Sequence, residues 1–492
     1  MELEAMEAEY NESKKIVSFP TNEITSLRDL RNNFKRFREF YLEENDKVKS
    51  VPSLVVATKM QEHMTIVKIN DRLAVYNIDK GIYETRADFF HNVIFWIEPS
   101  FSEAKSNQVI FHLKNMAKEV ESTASRDLVP VKNGIYNKKT KKLEPFSNRY
   151  VFTSTIETEY IEEIEAPNIN GWNVDDWLLD LMSGDEELVK LLWQVISASL
   201  NGNYSYRKSI WFVGEGNDGK GTLQQLISNL VGLQNVASLK INQFSERFTL
   251  SMIEGKTVII GDDVQAGLYI DDSSNFNSVV TGEPVFVEEK GKQPYVSFYK
   301  KTVIQSTNGL PKVRNKTNGT YRRFLIIPFR KTFSAKDDNW AIKDDYIFRE
   351  EVLQYVLKKA IELNFERFDE PQATKVMMQE FKEKNNSIIE FVNEWFPQFK
   401  SNVLPVRFLW WLYQEWCRDS GYTALAKRQF DNDLSKNIPD NWQKKKIRPK
   451  DDFYLRMMFQ IIILVFVGIV KIKKSLYGVG KLFQPFHSCS II

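Results

Sequence analysis

A chain of 492 residues is longer than one hydrophobic core normally organises, so two to four domains of roughly 50 to 200 residues are expected. Its 42% hydrophobic, 27% charged and 13% aromatic content is that of a globular chain and excludes a disordered or fibrous one. A net charge of +2 leaves any nucleic-acid affinity to local clusters of Lys and Arg, and two cysteines, Cys417 and Cys489, exclude a disulfide framework or a zinc ribbon.

His63, His91, His112 and His487 do not cluster at metal-ligand spacing, so no zinc site is expected. The acidic start, MELEAMEAEY, lacks an apolar h-region, so no secretory signal is expected and the cytoplasm is the expected compartment. Leu27, Leu30, Phe34, Phe37 and Tyr41 recur at helical spacing after Ser26, which predicts an amphipathic helix packed on the next domain. From about residue 64 the pattern becomes short and β-like, with turns at Asn70-Asp71 and Asp79-Lys80-Gly81. Residues 85–125 read as helical, Asn133-Gly134 signals a hairpin, and a linker lies where acidic residues give way to Pro167 and Gly171. Two helices then lead into the glycine-rich stretch WFVGEGNDGKGTLQQLI, Trp211 to Ile227.

Ser209–Val213 is apolar and β-prone, and Leu223, Leu226, Ile227 and Leu230 recur at helical spacing after the glycines. The intervening Gly214, Glu215, Gly216, Asn217, Asp218, Gly219, Lys220, Gly221 and Thr222 therefore link a strand to a helix. Backbone N–H groups of such a loop face phosphate oxygens, and Lys220 can reach the β and γ phosphates. Gly221 stands where the pattern G-x-x-x-x-G-K-[ST] wants a hydroxyl. Thr222 is the substitute magnesium ligand, although one residue of helix turns a side chain by about 100°, and water is the alternative. The bland reading is a glycine-rich turn.

Further on, a strand over Thr257–Ile260 ending at Gly261 puts Asp262 and Asp263 at its carboxyl edge. Asp262 would hold a metal or its water shell, and Asp263 would orient or deprotonate an attacking water; a solvated turn is the alternative. A strand over Val303–Gln305 leads to Asn308, whose amide suits a γ-phosphate or the attacking water if it is more than a turn residue. Arg322 and Arg323 precede an apolar run from Phe324. An arginine reaching a neighbouring subunit's site would stabilise charge on a transferred phosphoryl group; a plain surface position is the alternative.

The order GEGNDGKGT, VIIGDDV, VIQSTNGLP, YRRFLIIPF resembles the superfamily-three helicases, specifically the phage, plasmid and poxvirus-type primase-helicase ATPases. The resemblance covers about 60–450, because LVPVKNGIYNKKTKKLEPFSNRYVFT is similar to the domain that precedes the motor in that family. It implies an α/β fold: a P-loop, AAA+-like ATPase core with an N-terminal α/β domain and a C-terminal winged-helix-like domain. It also implies ATP and Mg2+ as cofactors, the Walker A role for Lys220, Walker B for Asp262 and Asp263, and the sensor for Asn308. Arg322 or Arg323 would be the finger acting in trans, in a homo-hexameric ring. The expected division is a charged helical segment (1–60), an N-terminal α/β domain (61–170), the ATPase domain (171–345), a helical and winged-helix-like region (346–450) and a hydrophobic tail (451–492).

Between Glu289 and Asp337 every charged residue is basic, and Tyr295, Phe298 and Tyr299 are interleaved, a combination suited to a single-stranded backbone; a solvated basic face is the alternative. EPVFVEEKGKQPYVSFYKK reads as a hairpin with Lys290 and Lys292 at its tip, which in the resembled family enters the central channel. Near the end, Trp410, Trp411, Tyr413 and Trp416 read mostly as core, with Lys427, Arg428 and Lys444 to Lys446 the better DNA contacts. No primase-polymerase domain is expected, so a separate primase is an expected partner. The apolar run Met457–Lys474 falls short of the roughly 20 residues of a spanning helix; it reads as a core segment, a departure from the ancestral reading frame or a membrane anchor, and a membrane partner is not expected. The expected function is an ATP-dependent helicase or translocase on single-stranded or forked DNA in phage or mobile-element replication, in a bacterial host or virus-infected cell. The alternatives are a replication initiator using ATP as an assembly switch with little turnover, and a membrane-associated ATPase.

Overall fold

Ser26 starts the first helix: its Oγ accepts a hydrogen bond from the Asp29 N–H at 3.1 Å, satisfying one of the donors that a helix start leaves open. The computed structural model describes residues 24–270, 272–291, 293–313, 318–334, 339–399, 404–420, 422, 424–447 and 489–491. The chain divides into two units, Met1–Met378 and Gln379–Ile492.

Helix α1 (Leu27–Glu44) buries Leu30, Phe34 and Phe37, the face that the sequence spacing predicts, and α2 (Ser53–His63) follows. Strands β1 (Ile66–Ile69) and β2 (Arg72–Asn77) pair across a turn in which Asn70 and Asp71 both have positive φ, +52° and +59°, the conformation that hairpin turns of right-handed twist require. Next come β3 (Ile82–Glu84), α3 (Ala87–Ile97), α4 (Glu103–Met116) and β4 (Lys118–Glu119), in a sheet of order β3-β2-β1-β4. The helices on either side of this sheet's first strand share one apolar core, with Phe34, Phe37, Val56, Met60, Ile66, Val75 and Ile94 in contact.

A three-stranded meander, β5 (Leu128–Val131), β6 (Gly134–Asn137) and β7 (Lys142–Glu144), carries the expected hairpin. The turn pair is Lys132-Asn133 rather than Asn133-Gly134, because Gly134 already pairs with Val131. Helices α5 (Val174–Leu181) and α6 (Glu186–Ser199) are capped by Asn173 and Asp185, whose side chains accept from N–H groups one turn on.

The second sheet is built from β8 (Ser209–Val213), then after α7 (Lys220–Val231) from β9 (Val236–Ser238) and β10 (Val258–Val264). Short β11 (Tyr269–Ile270), α8 (Ser274–Thr281) and a hairpin of β12 (Pro284–Val287) and β13 (Tyr295–Phe298) intervene before β14 (Thr302–Thr307). After β15 (Lys312–Val313) and α9 (Asn318–Tyr321), β16 (Phe324–Pro328) completes the sheet in the order β16-β8-β14-β10-β9, every pairing parallel. β14 and β16 are buried along their whole length, the pattern of a parallel sheet covered on both faces. Helix α10 (Trp340–Asp344) and α11 (Glu350–Ile361) return to this core through Ile342, Val352, Val356 and Leu357.

The division between the two units falls within α12 (Gln372–Lys384). The second unit holds α13 (Ser387–Trp395), α14 (Val406–Asp419) and α15 (Lys427–Asn437), then β17 (Lys445–Ile447) paired antiparallel with β18 (Cys489–Ile491). Phe391, Leu409, Leu412, Tyr413, Trp416 and Phe430 form its core, with Trp410 and Trp411 packed at the edge, so these aromatics do fill the interior. The apolar run Met457–Lys474 lies outside the described residues; among those described, no helix is long and apolar enough to cross a membrane.

Glu98 ties α1 to α3. Its fully buried carboxylate accepts from Arg38 at 3.2 and 3.3 Å, from the N–H groups of Val51 (3.0 Å) and Ser100 (3.1 Å), and from Ser100 Oγ at 2.7 Å. Burial opposes its charge, but these hydrogen bonds, that of Ser100 foremost, outweigh it and hold the carboxyl below the usual carboxylate range. Glu98→Ala strands the buried donors and is expected to cost about 1–3 kcal/mol. Because the folded carboxyl binds its proton less readily than the unfolded one, this contribution is present above the ordinary carboxylate pKa and lost as pH falls below it. Urea unfolding of both proteins at about pH 7 and about pH 3 measures this: the gap between them is expected to narrow at the lower pH.

Candidate functional site

Strand β8 ends at Val213 and α7 begins at Lys220, so residues 214–219 form the predicted loop between strand and helix. Gly219 has φ +82°, and a Cβ there would lie 2.4 Å from Leu181 Cδ2, so this position before the helix is glycine for both backbone and packing reasons. A Cβ on Gly221 would meet nothing within 4 Å, so packing does not demand glycine there.

Lys220 is only 6% exposed; its Nζ donates to the Gly214 carbonyl at 3.1 Å and to Asn308 Oδ1 at 3.3 Å, and pairs with Asp218. Asp218, 3% exposed, also accepts from the N–H groups of Gly216 at 3.2 Å and Lys220 at 3.3 Å. Two backbone donors and an ammonium thus surround one carboxylate, the donor set an anion takes at a helix N-terminus. The sequence counts Asp218 among the nucleotide-loop residues without a role of its own; the signal for more is an acidic residue inside a loop suited to anions.

Asn308 reaches Lys220 because β14 lies beside β8 with Thr307 opposite Val213, so the residue after β14 emerges next to the loop. On the other side of β14, β10 does not end at Gly261 as its apolar run suggests but continues through both aspartates to Val264. Gly261 pairs with Gln305 and Val264 with Thr307, leaving Asp262 and Asp263 opposite the single Ser306 in a bulge. Asp263 takes φ +50°, and its N–H donates to Ser306 Oγ and to Asp262 Oδ1, each at 3.0 Å. Ser306 in turn donates to Asp262 Oδ1 at 2.5 Å, and Lys240 Nζ to the Asp263 carbonyl at 2.9 Å. The bulge re-aims two exposed carboxylates at the carboxyl edge from which the loop and Asn308 also project.

Ser306, Gln305 and Lys240 escaped the sequence reading because their partners come from other strands. Gln305 fills the space that Gly261 leaves: a Cβ on Gly261 would lie 2.5 Å from the Gln305 amide and from the Leu239 carbonyl. Among the described residues no group of three or more His, Cys, Asp or Glu could hold a metal ion. The oxygen donors of Asp262 and the half-buried Thr222 at the first turn of α7 nonetheless suit magnesium, which keeps several waters and shares its other ligands with phosphate.

Comparison with known families finds three matching stretches. Residues 9–181 match the family described as D5 N terminal like, and residues 383–467 match the family described as poxvirus D5 protein-like. Two stretches of the chain, one towards each end, are thus similar to D5-type families. Residues 212–323, which carry the loop, the bulge and Asn308, match a family of unknown function, DUF5906. Apo structures of the C terminal region of NrS-1 are similar at 13% and 12% identity, covering 81% of this chain and 97% and 96% of theirs, with TM-scores of 0.46 and 0.44.

The paired arginines stand apart from the loop. β16 runs parallel to β8 with Phe324 opposite Ser209, so Arg322 and Arg323 lie at the starting edge of the sheet while the loop leaves the other. A five-residue strand, about 16 Å long, separates the two edges. Arg322 is exposed; Arg323 is half-buried, and burial, with Arg322 beside it, holds its pKa below the usual arginine value.

The basic hairpin forms, with Lys290 exposed near its tip; Lys292 lies outside the described residues. Tyr295 does not offer a free ring to a base. The Arg72 guanidinium lies 4.5 Å from its ring centre and donates to its hydroxyl at 3.0 Å, while Arg72 also pairs with Glu254 at 2.9 Å and Glu289 at 3.5 Å. Tyr299 is buried, whereas Phe286, Val296 and Phe298 are exposed along one face of the hairpin. In the second unit Lys427 pairs with Asp431 at 3.0 Å, Arg428 and Lys445 are exposed, and Lys444 donates to the Asp431 carbonyl at 3.3 Å; the side chain of Lys446 lies outside the described residues.

Asp218→Asn keeps the side chain's shape and removes the charge opposed to Lys220. Pyrophosphate is then expected to bind about tenfold more tightly, the worth of one charge-assisted hydrogen bond that no longer has to be displaced. Isothermal titration calorimetry on both proteins measures it.

Proposed function

We propose that this chain is an ATP-dependent DNA helicase or translocase of phage or mobile-element replication, of the superfamily-three type, with a P-loop, AAA+-like core. The observation that carries this reading is the contact between Lys220 and Asn308, made possible by β14 inserted between the loop strand β8 and the acidic strand β10. The same insertion brings a phosphate-binding loop, a polar reporter and two carboxylates to one sheet edge, the edge at which parallel α/β sheets bind ligands.

In this reading the loop N–H groups and Lys220 take the β and γ phosphates of ATP, displacing Asp218. Asp262, oriented by Ser306, holds magnesium or its water shell; a bound magnesium supplies charge neutralisation on the phosphates. Asp263 orients the attacking water and receives its proton as the water oxygen bonds to the γ-phosphorus and the bond to the β-phosphate oxygen breaks, giving ADP and phosphate. Asn308 hydrogen-bonds the γ-phosphate or that water and relays its loss to Lys220. Arg322 and Arg323, a strand's length from their own loop, act only on a neighbour's nucleotide, which calls for a ring, a hexamer by the family likeness. Lys290 tracks single-stranded or forked DNA, and Lys427 and Arg428, at the start of the last helix before the β17–β18 pair, meet DNA in a winged-helix-like manner. A separate primase is the expected partner, in the cytoplasm of a bacterial host or virus-infected cell.

A second reading, a replication initiator that uses ATP as an assembly switch, is favoured by one observation: Gly221 offers no hydroxyl to magnesium, and Lys220 is already paired with Asp218. ATP turnover with and without single-stranded DNA separates the two. The motor reading expects turnover stimulated by DNA and lowered at least about a hundredfold in Lys220→Ala. Tight ATP binding with no turnover would move the assignment to the switch.

A further inference from the structure

A cavity of about 510 Å³ lies between the start of α2 and the exposed stripe of α4, and none of its lining residues belongs to the loop, the bulge or the second sheet. We infer that it is a separate nucleic-acid site, which holds one nucleotide of a single strand with the phosphate on Lys105 and the base on Phe111.

Helix α4 turns Val109 and Leu113 into the core shared with α2 and leaves Lys105, Gln108 and His112, spaced i, i+3 and i+7, as a polar stripe along the cavity. Phe111 stands beside that stripe and is 63% exposed. Its ring meets His112 edge-on, with 5.8 Å between ring centres, a contact that positions the phenyl group without covering it. An aromatic surface left in water in the wall of a cavity is what a stacked base would cover, and such stacking tolerates any base.

The charge of the cavity suits a phosphate. Among the described residues that line it none is acidic, and Lys105 makes no ion pair among them: its Nζ lies 5.5 Å from the centre of the Phe101 ring. Lys47 and Lys49, both exposed, precede α2 and add positive charge next to the same rim. Ser53 Oγ donates to Gln108 Oε1 at 3.3 Å, which ties α2 to α4 and leaves the Gln108 amide nitrogen as a donor for the edge of a base. Ligand cavities commonly span about 300–1,000 Å³, so about 510 Å³ accommodates a nucleotide with its sugar. Lys105, Gln108 and Phe111 are all exposed, so the cavity is open on their side and the neighbouring nucleotides of a strand can continue past it. An acidic peptide would use the lysine but leave the ring uncovered.

The test uses the 492-residue chain without ATP, an oligodeoxythymidylate of about 12 nucleotides, a backbone of the same length without bases, and thymidine monophosphate. Phe111 and Lys105 are exposed, so replacing them leaves the apolar core intact. Phe111→Ala is expected to bind the oligonucleotide roughly tenfold more weakly, with Phe111→Trp restoring the affinity and the base-free backbone binding all three proteins alike. Lys105→Gln is expected to make the slope of log K against log salt shallower by about 0.7, the loss of one phosphate contact, while Phe111→Ala leaves the slope unchanged. A strand carrying 5-iododeoxyuridine, irradiated on the chain, is expected to attach to Phe111. Unchanged oligonucleotide affinity in Phe111→Ala, or attachment only outside residues 101–112, overturns the site. Thymidine monophosphate bound as tightly as the oligonucleotide, and lost in Phe111→Ala, overturns the strand in favour of a free nucleotide. An oligoglutamate peptide bound by wild type and lost in Lys105→Gln, with the strand unaffected, overturns it in favour of a protein partner.

Discussion

A strand buried on both faces must satisfy every polar group it carries from inside the protein, and β14 carries three such side chains in a row. Gln305 donates to the carbonyl of Leu239 at 3.0 Å and accepts from the Ile241 N–H at 2.9 Å; Thr307 donates to Val264 at 2.7 Å; Ser306 donates to Asp262. These bonds stitch β14 to β10 and to the segment after β9. They fix the bulge at Asp262 and Asp263, and with it the direction of both carboxylates. Neutral side chains suffice for Gln305 and Thr307 because their bonds lie in a dry interior where an unmade partner is costly, while Ser306 reaches out to the exposed Asp262.

Charge is handled differently on the other flank. Lys220 is almost wholly buried, and a buried ammonium needs an anion close by. Asp218 is that anion in the free chain, ringed by the same donors that a phosphate would use. The loop is thus stable without ligand and still complementary to one. A single carboxylate reconciles a buried lysine with its low-dielectric surroundings, and in the proposed reading it competes with the arriving phosphate.

The N-terminal half of the first unit reaches the same machinery through Arg72, which joins Glu254, Glu289 and Tyr295 in one cluster. That cluster grips the turn end of the β12–β13 hairpin. Tyr295, which looks available in the sequence, is therefore spent on holding the hairpin and Tyr299 is buried, while Phe286, Val296 and Phe298 face water. Alternation along two short strands decides which side is which: Val285 and Val287 turn inward with Ser297, and their neighbours turn out.

Local pattern sufficed for a good part of this protein. The helix after Ser26, the turn at Asn70-Asp71, the strand, loop and helix around Gly219, and the aromatic core of the second unit each follow from spacing within a dozen or so residues. The roles of Asp218, Ser306 and Gln305 were not legible, since each depends on a partner in the folded loop or on another strand. The length of β10 was misjudged for a related reason: two aspartates look like the end of a strand until a neighbouring serine holds them in a bulge. The sequence by itself determined the alternation of strands and helices and the residues at their tips, because propensity and periodicity are local. Only the tertiary structure decided that β14 stands between β8 and β10, that Arg322 and Arg323 lie at the sheet edge opposite their own loop, and that Tyr295 belongs to Arg72, because strand order and side-chain partners arise from contacts that sequence distance does not encode.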